Sequence, residues 1–370
     1  MDFVLRVFIF LLGLALVLAT FSSALSTFVV PRSVRSQLNR LVFGAVRRGF
    51  QLRLNHLHEY EARDALMAYY APLGLVLLVP TWYALVALGY ACMYWSMGVG
   101  DFLTSFRLSG SSLLTLGIST SEDFLTNLFI FSEATLGLTL VALLIAYLPT
   151  MYAAFSRREQ AVNLLEVRAG NPPSAVEMIL RFNRIHGLDQ LNYYWSGWES
   201  WFADVEESHT VLPALVFFRS PHPYNSWITA SGTVLDAAAL TLAAVDTPRS
   251  TAAQLAIRAG YIAFQQIVDY YEIPYPKKPH YPDDPISISR EEFDQALEQL
   301  AAGNVPLKAD RDQAWLDYAG WRVNYDVVLL ILCALTMAPK APWSSDRAPR
   351  LKLPPLLVSK KKRDHHKHKH

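Results

Sequence analysis

The residues with most chemistry to offer sit in a short polar stretch, Ser109, Gly110, Ser111, Ser112, Leu113, Leu114, Thr115, Leu116, Gly117, Ile118, Ser119 and Thr120, held between two long apolar runs. Irregular backbone at membrane depth survives only where it is buried in protein or borders water. A glycine-containing loop there offers main-chain carbonyl oxygens, and rings of such oxygens replace the water shell of a cation. Thr115 to Ser119 are therefore the first candidate site, and a monovalent cation is what they would bind. Glu122 and Asp123, just beyond, either concentrate cations at the mouth or cap and solvate a loop.

Catalytic chemistry has weaker support. Glu207, His209, His222 and Asp236 are metal-ligand types, yet no recognised ligand spacing links them. Ser208 and His209 are adjacent, so on a helix their side chains are expected to diverge. No Walker sequence and no GxGxxG occurs. The expectation is a protein that is not an enzyme and holds no cofactor and no metal.

The elements that must position the loop are apolar helices. Of 370 residues 52% are hydrophobic, and a mean hydropathy of +0.19 argues against a purely soluble chain. A net charge of +1 gives no general attraction to nucleic acid. Cys92 and Cys333 lie in apolar runs assigned to different compartments, so both are expected free.

The first candidate span is 3–30, read as an uncleaved anchor rather than a signal peptide. Spans at 72–97 and 129–155 each exceed the ~20 residues that a bilayer core requires. Arg32, Arg35, Arg40, Arg47, Arg48, Arg53 and Arg63 follow the first span, whereas the loop 98–128 holds only Arg107. The positive-inside rule then puts the amino terminus and the loop outside and the carboxy-terminal half in the cytoplasm, as in a multi-pass protein of the inner membrane. Leu38, Leu41, Val42 and Ala45 share a helical face, which suits a helix lying on the inner membrane surface or a solvated linker.

From Glu159 the chain reads as a helical domain. Trp195, Trp198, Phe202, Val205 and His209 recur at three and four residues, as do Ile257, Tyr261, Phe264, Val268 and Tyr271. His209 on that stripe reads as an interior histidine. The proline-rich stretch 273–285, with five prolines, is expected to be non-helical. The runs 228–245 and 327–338 read as buried core, the first because Asp236 is costly in lipid. Asp236 then needs a partner, with Arg219, Arg258 and Arg322 as the candidates. The tail from Lys360 to His370 is basic and His-rich, expected to be disordered and to attract anionic lipid.

The order of span, short helix at 101–114, loop at Thr115, Leu116, Gly117, Ile118 and Ser119, and a following span resembles the two-span pore module of the potassium channel superfamily over residues 72–158. That resemblance implies a selectivity filter in which Thr115 offers the innermost site, Leu116 and Gly117 contribute carbonyls, and Ile118 replaces the family's aromatic residue. It further implies that Glu133 supports the filter, that Gly137 permits the inner helix to bend, and that Pro149 contributes to a gate. Ser119 departs from the family, whose second filter glycine takes angles unfavourable to a residue with a Cβ. The cytoplasmic half, through Trp195-Ser196-Gly197-Trp198-Glu199, Glu207-Ser208-His209 and Phe218-Arg219-Ser220-Pro221-His222, resembles the carboxy-terminal region of bacterial proteins that carry this module.

The expectation is therefore an all-α membrane protein with three transmembrane helices, a re-entrant pore helix and filter-like loop, and an α-helical cytoplasmic domain. Its divisions are 1–30 (first span), 31–71 (basic juxtamembrane segment), 72–158 (pore module), 159–345 (helical domain) and 346–370 (tail). The expected function is a homotetrameric cation channel, selective for potassium or only weakly selective. Its partners would be monovalent cations, membrane lipid and further copies of itself, and the alternative is a non-conducting sensor or scaffold on the same frame.

Overall fold

A computed structural model describes residues 3–28 and 37–349. Arg32, Arg35 and the basic tail from Lys360 onward, with the lipid contact expected of it, lie outside the described residues. About 75% of the described residues are helical, and no strand is present among them. Packing divides the chain into two units, Met1–Arg168 with Ser200–Trp227, and Ala169–Glu199 with Ile228–His370.

The first unit begins with α1 (Phe3–Phe28), α2 (Gln37–Leu54), α3 (Tyr60–Ala68), α4 (Tyr70–Met97) and α5 (Phe102–Leu113). It continues with the 46-residue α6 (Phe124–Ala169), whose last residue falls in the second unit. Helix α1 lies against α4 where two glycines meet: a Cβ on Gly89 would approach the Gly13 carbonyl to 2.9 Å. Without a hydrophobic drive between helices in lipid, such backbone approach supplies the dispersion contact. At the carboxy-terminal end of α1 Phe28 meets Trp82 and Tyr147 at ring separations of 5.2 and 4.6 Å.

Helix α2 turns a different face to the protein from the one its apolar spacing marks. Phe43, Val46 and Arg47 are buried, whereas Leu41 is exposed. The Phe43 ring packs at Gly74 of α4, and Arg47 lies over the Phe217 ring at 5.9 Å. The face of Leu41 and Ala45 stays outward, available to a lipid surface.

The segment Ser200–Trp227 joins the first unit through a buried arginine rather than through sequence proximity. Arg158 of α6 donates to Glu159 (2.8 Å), the Leu215 carbonyl (2.9 Å) and the Phe218 carbonyl (2.7 Å). Its Nη1 lies 3.1 Å from His209 Nε2. A guanidinium fixed by several acceptors is tolerated in the interior because each lost water is replaced. The same segment reaches α3, where Arg219 pairs with Asp64 and donates to Tyr60 Oη at 2.9 Å. The helical region expected as one run over 159–345 is thus shared between two packing units.

The second unit holds α7 (Ala175–Arg184), the first part of α8 (Leu191–Val211), and α9 (Trp227–Ala244) from Ile228 on. Helices α10 (Thr251–Tyr270), α11 (Arg290–Ala302), α12 (Arg311–Arg322) and α13 (Asp326–Thr336) complete it. Among the described residues four stretches are long and apolar enough to cross a membrane: Phe3–Phe28, Tyr60–Met97, Phe124–Ala169 and Trp227–Ala244. The fourth differs in kind, since 94% of its apolar window is buried by protein against 17% for the first and third. Of the three arginines proposed for Asp236, it is Arg322 that pairs with it, and Arg322 also meets Asp326 at 2.7 Å. Residues 273–285 contain no helix, as expected from their prolines.

Candidate functional site: a filter-like loop between α5 and α6

Asp101 starts α5 by accepting a hydrogen bond from the Thr104 amide at 2.9 Å. Twelve residues at 1.5 Å each give a helix of about 18 Å, little more than half a ~30 Å hydrocarbon core. The chain then turns sharply. The Thr115 amide donates to the Ser112 carbonyl (3.0 Å) and the Leu116 amide to the Ser111 carbonyl (2.8 Å). Thr115 and Gly117 both adopt left-handed backbone, at φ 54° and 68°.

Ser119, where the sequence departs from the family, does not take a positive φ. Its main chain is held by the buried Ser111 hydroxyl, which accepts from the Ser119 amide at 3.0 Å and lies 3.4 Å from its carbonyl oxygen. The side chain is accommodated because the chain has already left the left-handed pattern. By contrast, the carbonyls of Thr115, Leu116, Gly117 and Ile118 accept no hydrogen bond among the described residues. Unpaired backbone carbonyls require water or an ion. Ile118 is 78% exposed. Behind the loop lies a cavity of about 350 Å³, bordered by Thr104, Leu108, Ser119, Thr120, Asp123 and Thr126.

Glu133 is fully buried at the junction of three helices. Tyr94 of α4 donates to its Oε2 at 2.9 Å, and Ser109 of α5 donates to Oε1. A carboxylate between hydroxyl donors ties helices that apolar contact alone would let slide. Tyr94→Phe removes one donor and is expected to lower stability by about 1–3 kcal/mol. Thermal melting of the purified protein in detergent measures this, and an unchanged melting temperature would show that the bond contributes nothing.

Gly137 lies one turn further along α6, where the helix crosses the end of α5. A Cβ there would overlap the Leu113 carbonyl oxygen, and Tyr83 donates to the Gly137 carbonyl at 2.6 Å. Pro149 lies inside α6, which continues through it to Ala169. Asp123 caps α6 by accepting from the Thr126 amide and hydroxyl, each at 2.8 Å. The Thr126 amide bond leads the effects that hold the Asp123 carboxyl below its ordinary range, so its charge persists at neutral pH. Glu122 is exposed.

Contrary to expectation, Ser208 Oγ and His209 Nδ1 approach to 3.0 Å, because both turn back on their own helix. The Ser208 hydroxyl donates to the Asp204 carbonyl at 2.6 Å, and His209 Nδ1 faces the Val205 carbonyl at 2.9 Å. Burial and the adjacent Arg158 push the His209 pKa well below its ordinary value, so the ring is neutral. Among the described residues no group of three or more His, Cys, Asp or Glu is placed to hold a metal.

No family model, curated protein or solved structure matches this chain.

Proposed function

We propose that the chain is the subunit of a homotetrameric cation channel, with α4, α5, the loop and α6 as its pore module. The observation that carries the reading is the row of four unpaired carbonyls from Thr115 to Ile118, in a loop between two apolar helices and preceded by a half-membrane helix. One loop supplies too few oxygens to replace an ion's hydration shell, whereas four around an axis supply enough. Support for further copies comes from α6, where Leu128, Phe131, Leu138, Ile145 and Tyr152 are exposed apolar residues. Such a surface belongs against lipid or protein. The arginine asymmetry orients the module with its loop outside and the carboxy-terminal half in the cytoplasm of an inner membrane. At 1.5 Å per residue α6 extends about 69 Å, so its last turns project well beyond the bilayer. Through Arg158 they engage the segment Ser200–Trp227, a route by which that segment would act on the pore.

The reconstituted protein is expected to pass monovalent cations across liposomes. Gly117→Asp, which puts a Cβ and a carboxylate at a left-handed position in the loop, should reduce flux at least a hundredfold while leaving the assembly mass unchanged. Flux that ignores this change would refute the reading. A tetramer that never conducts would favour the second reading, a non-conducting sensor or scaffold. That reading draws on the Ser111 tether, which withdraws the Ser119 carbonyl from the row of free oxygens.

A further inference from the structure

Within the second unit a cavity of about 230 Å³ is bordered by the start of α7, by α9, by one face of α11, and by Pro342 and Trp343. Polar contacts tie these walls to one another. Thr233 of α9 donates to the Pro173 carbonyl at 3.2 Å, two residues before α7. Arg322 pairs with Asp236 of α9 and donates to the Trp343 carbonyl at 2.6 Å. Arg347, four residues beyond Trp343, pairs with Glu292 of α11 at 2.9 Å. The cavity is thus a braced feature of one packing unit.

Both carboxylates on the wall are already paired. Asp236 takes Arg322, Tyr325 Oη at 2.8 Å and Tyr318 Oη at 3.4 Å, and Glu292 takes two Arg347 nitrogens and the Ser289 amide at 2.9–3.1 Å. What is left over is neutral and of both kinds. The carboxamides of Gln295 and Gln299, one turn apart on α11, border the cavity with no partner among the described residues, and each offers donors and an acceptor. The Ser174 hydroxyl takes the Glu177 amide, and its own proton has no acceptor among the described residues. Thr233, 3% exposed, gives its proton to Pro173 and keeps oxygen lone pairs free to accept. The fourth wall is aromatic. Trp343 stands at φ 60°, a left-handed backbone rare for a bulky residue and of a kind that gathers at ligand sites. The Arg322 bond to its carbonyl holds it there.

We propose that this cavity binds a monosaccharide, with one face of the sugar ring on the Trp343 indole and its hydroxyls shared among Gln295, Gln299, Thr233 and Ser174. A hydroxyl both donates and accepts, so a ring that carries one on most of its carbons answers donors and acceptors arriving from three walls. An ion does not. An anion would face two carboxylates, and a cation would compete with guanidiniums already in place. A flat heterocycle presents its polar groups in one plane only, whereas these come from α7, α9 and α11. Sugar hydroxyls can add to the bonds of Asp236 and Glu292 without displacing Arg322 or Arg347. An aromatic wall with a few placed polar groups is the ordinary form of a small-molecule site. The volume is that of about seven waters, room for one sugar ring but not for a chain of them.

The site is tested on the full-length protein, independently of ion conduction, in a detergent without sugar headgroups. Calorimetric titration with glucose, galactose, mannose and ribose is compared with acetate, methylammonium and adenosine. At least one sugar is expected to bind, with the other three compounds at least tenfold weaker. Gln295→Ala combined with Gln299→Ala removes the free carboxamides from exposed positions of α11, where alanine suits a helix better than glutamine. The double variant is expected to bind the sugar at least tenfold more weakly at an undiminished melting temperature. Absence of heat with all four sugars overturns the proposal. So does binding of acetate, methylammonium or adenosine as tight as that of the best sugar, or a double variant that melts normally and binds normally.

Discussion

Arg322→Met is expected to be the most destabilising single substitution in the second unit, costing about 3–5 kcal/mol. The guanidinium is fully buried, paired with Asp236 and Asp326, and donates to the Trp343 carbonyl at 2.6 Å. Removing it leaves two carboxylates in an interior that cannot hydrate them, and the penalty is theirs rather than the value of the lost pair. A domain stable by only about 5–15 kcal/mol loses a large part of its margin. The comparison that isolates the cause replaces Arg322, Asp236 and Asp326 together with apolar residues of similar volume. That variant should recover most of the loss in denaturant unfolding. If Arg322→Met melts like the wild type, the cluster is better hydrated than its burial implies.

Gly137→Leu is expected to have the largest effect in the first unit. The position has no room even for a Cβ, and what it meets is the Leu113 main chain, which no rotamer change can move aside. Helix α6 must therefore separate from the end of α5, at a cost of about 1–3 kcal/mol for the overpacking alone. The same shift displaces Glu133, one turn away, from Tyr94 and Ser109. On the channel reading, flux should fall at least tenfold in liposomes. Gly137→Ala should lie between the two, since it adds the clash without the bulk. Normal flux in Gly137→Leu would mean that this crossing does not set the geometry of the loop.

Both substitutions act where elements distant in sequence meet, and legibility divides along the same line. Helices α1, α4 and α6 were readable because twenty or more apolar residues in a row leave few alternatives. Helix α5 was readable as a short helix, with Asp101 at its head. The apolar span at 129–155 marks only part of α6, which begins at Phe124, and the choice between a cap and a cation-concentrating role for Asp123 waited on its bonds to Thr126. The buried side of α2 was not legible either. Apolar spacing marked only the face of Leu38, Leu41, Val42 and Ala45, read for a membrane surface or a solvated linker, and gave no sign that the Phe43 ring packs at Gly74. Ser208 and His209 were expected apart, yet both side chains bend back to carbonyls of their own helix.

What the sequence alone determined were the local properties: which stretches are apolar, that Asp101 heads a short helix, that the five-proline stretch has none, and that residues 115–119 form a loop between two apolar runs. Each depends on neighbours within a turn or two, through periodicity, capping and backbone sterics. Only the tertiary structure decided that Arg322 rather than Arg219 or Arg258 answers Asp236, that Arg158 draws Ser200–Trp227 into the first unit, and that Ser111 holds Ser119. Those outcomes depend on which helix surfaces meet. A buried charge demands a partner whatever its place in the chain, and many residues satisfy that demand equally until packing brings one of them within reach.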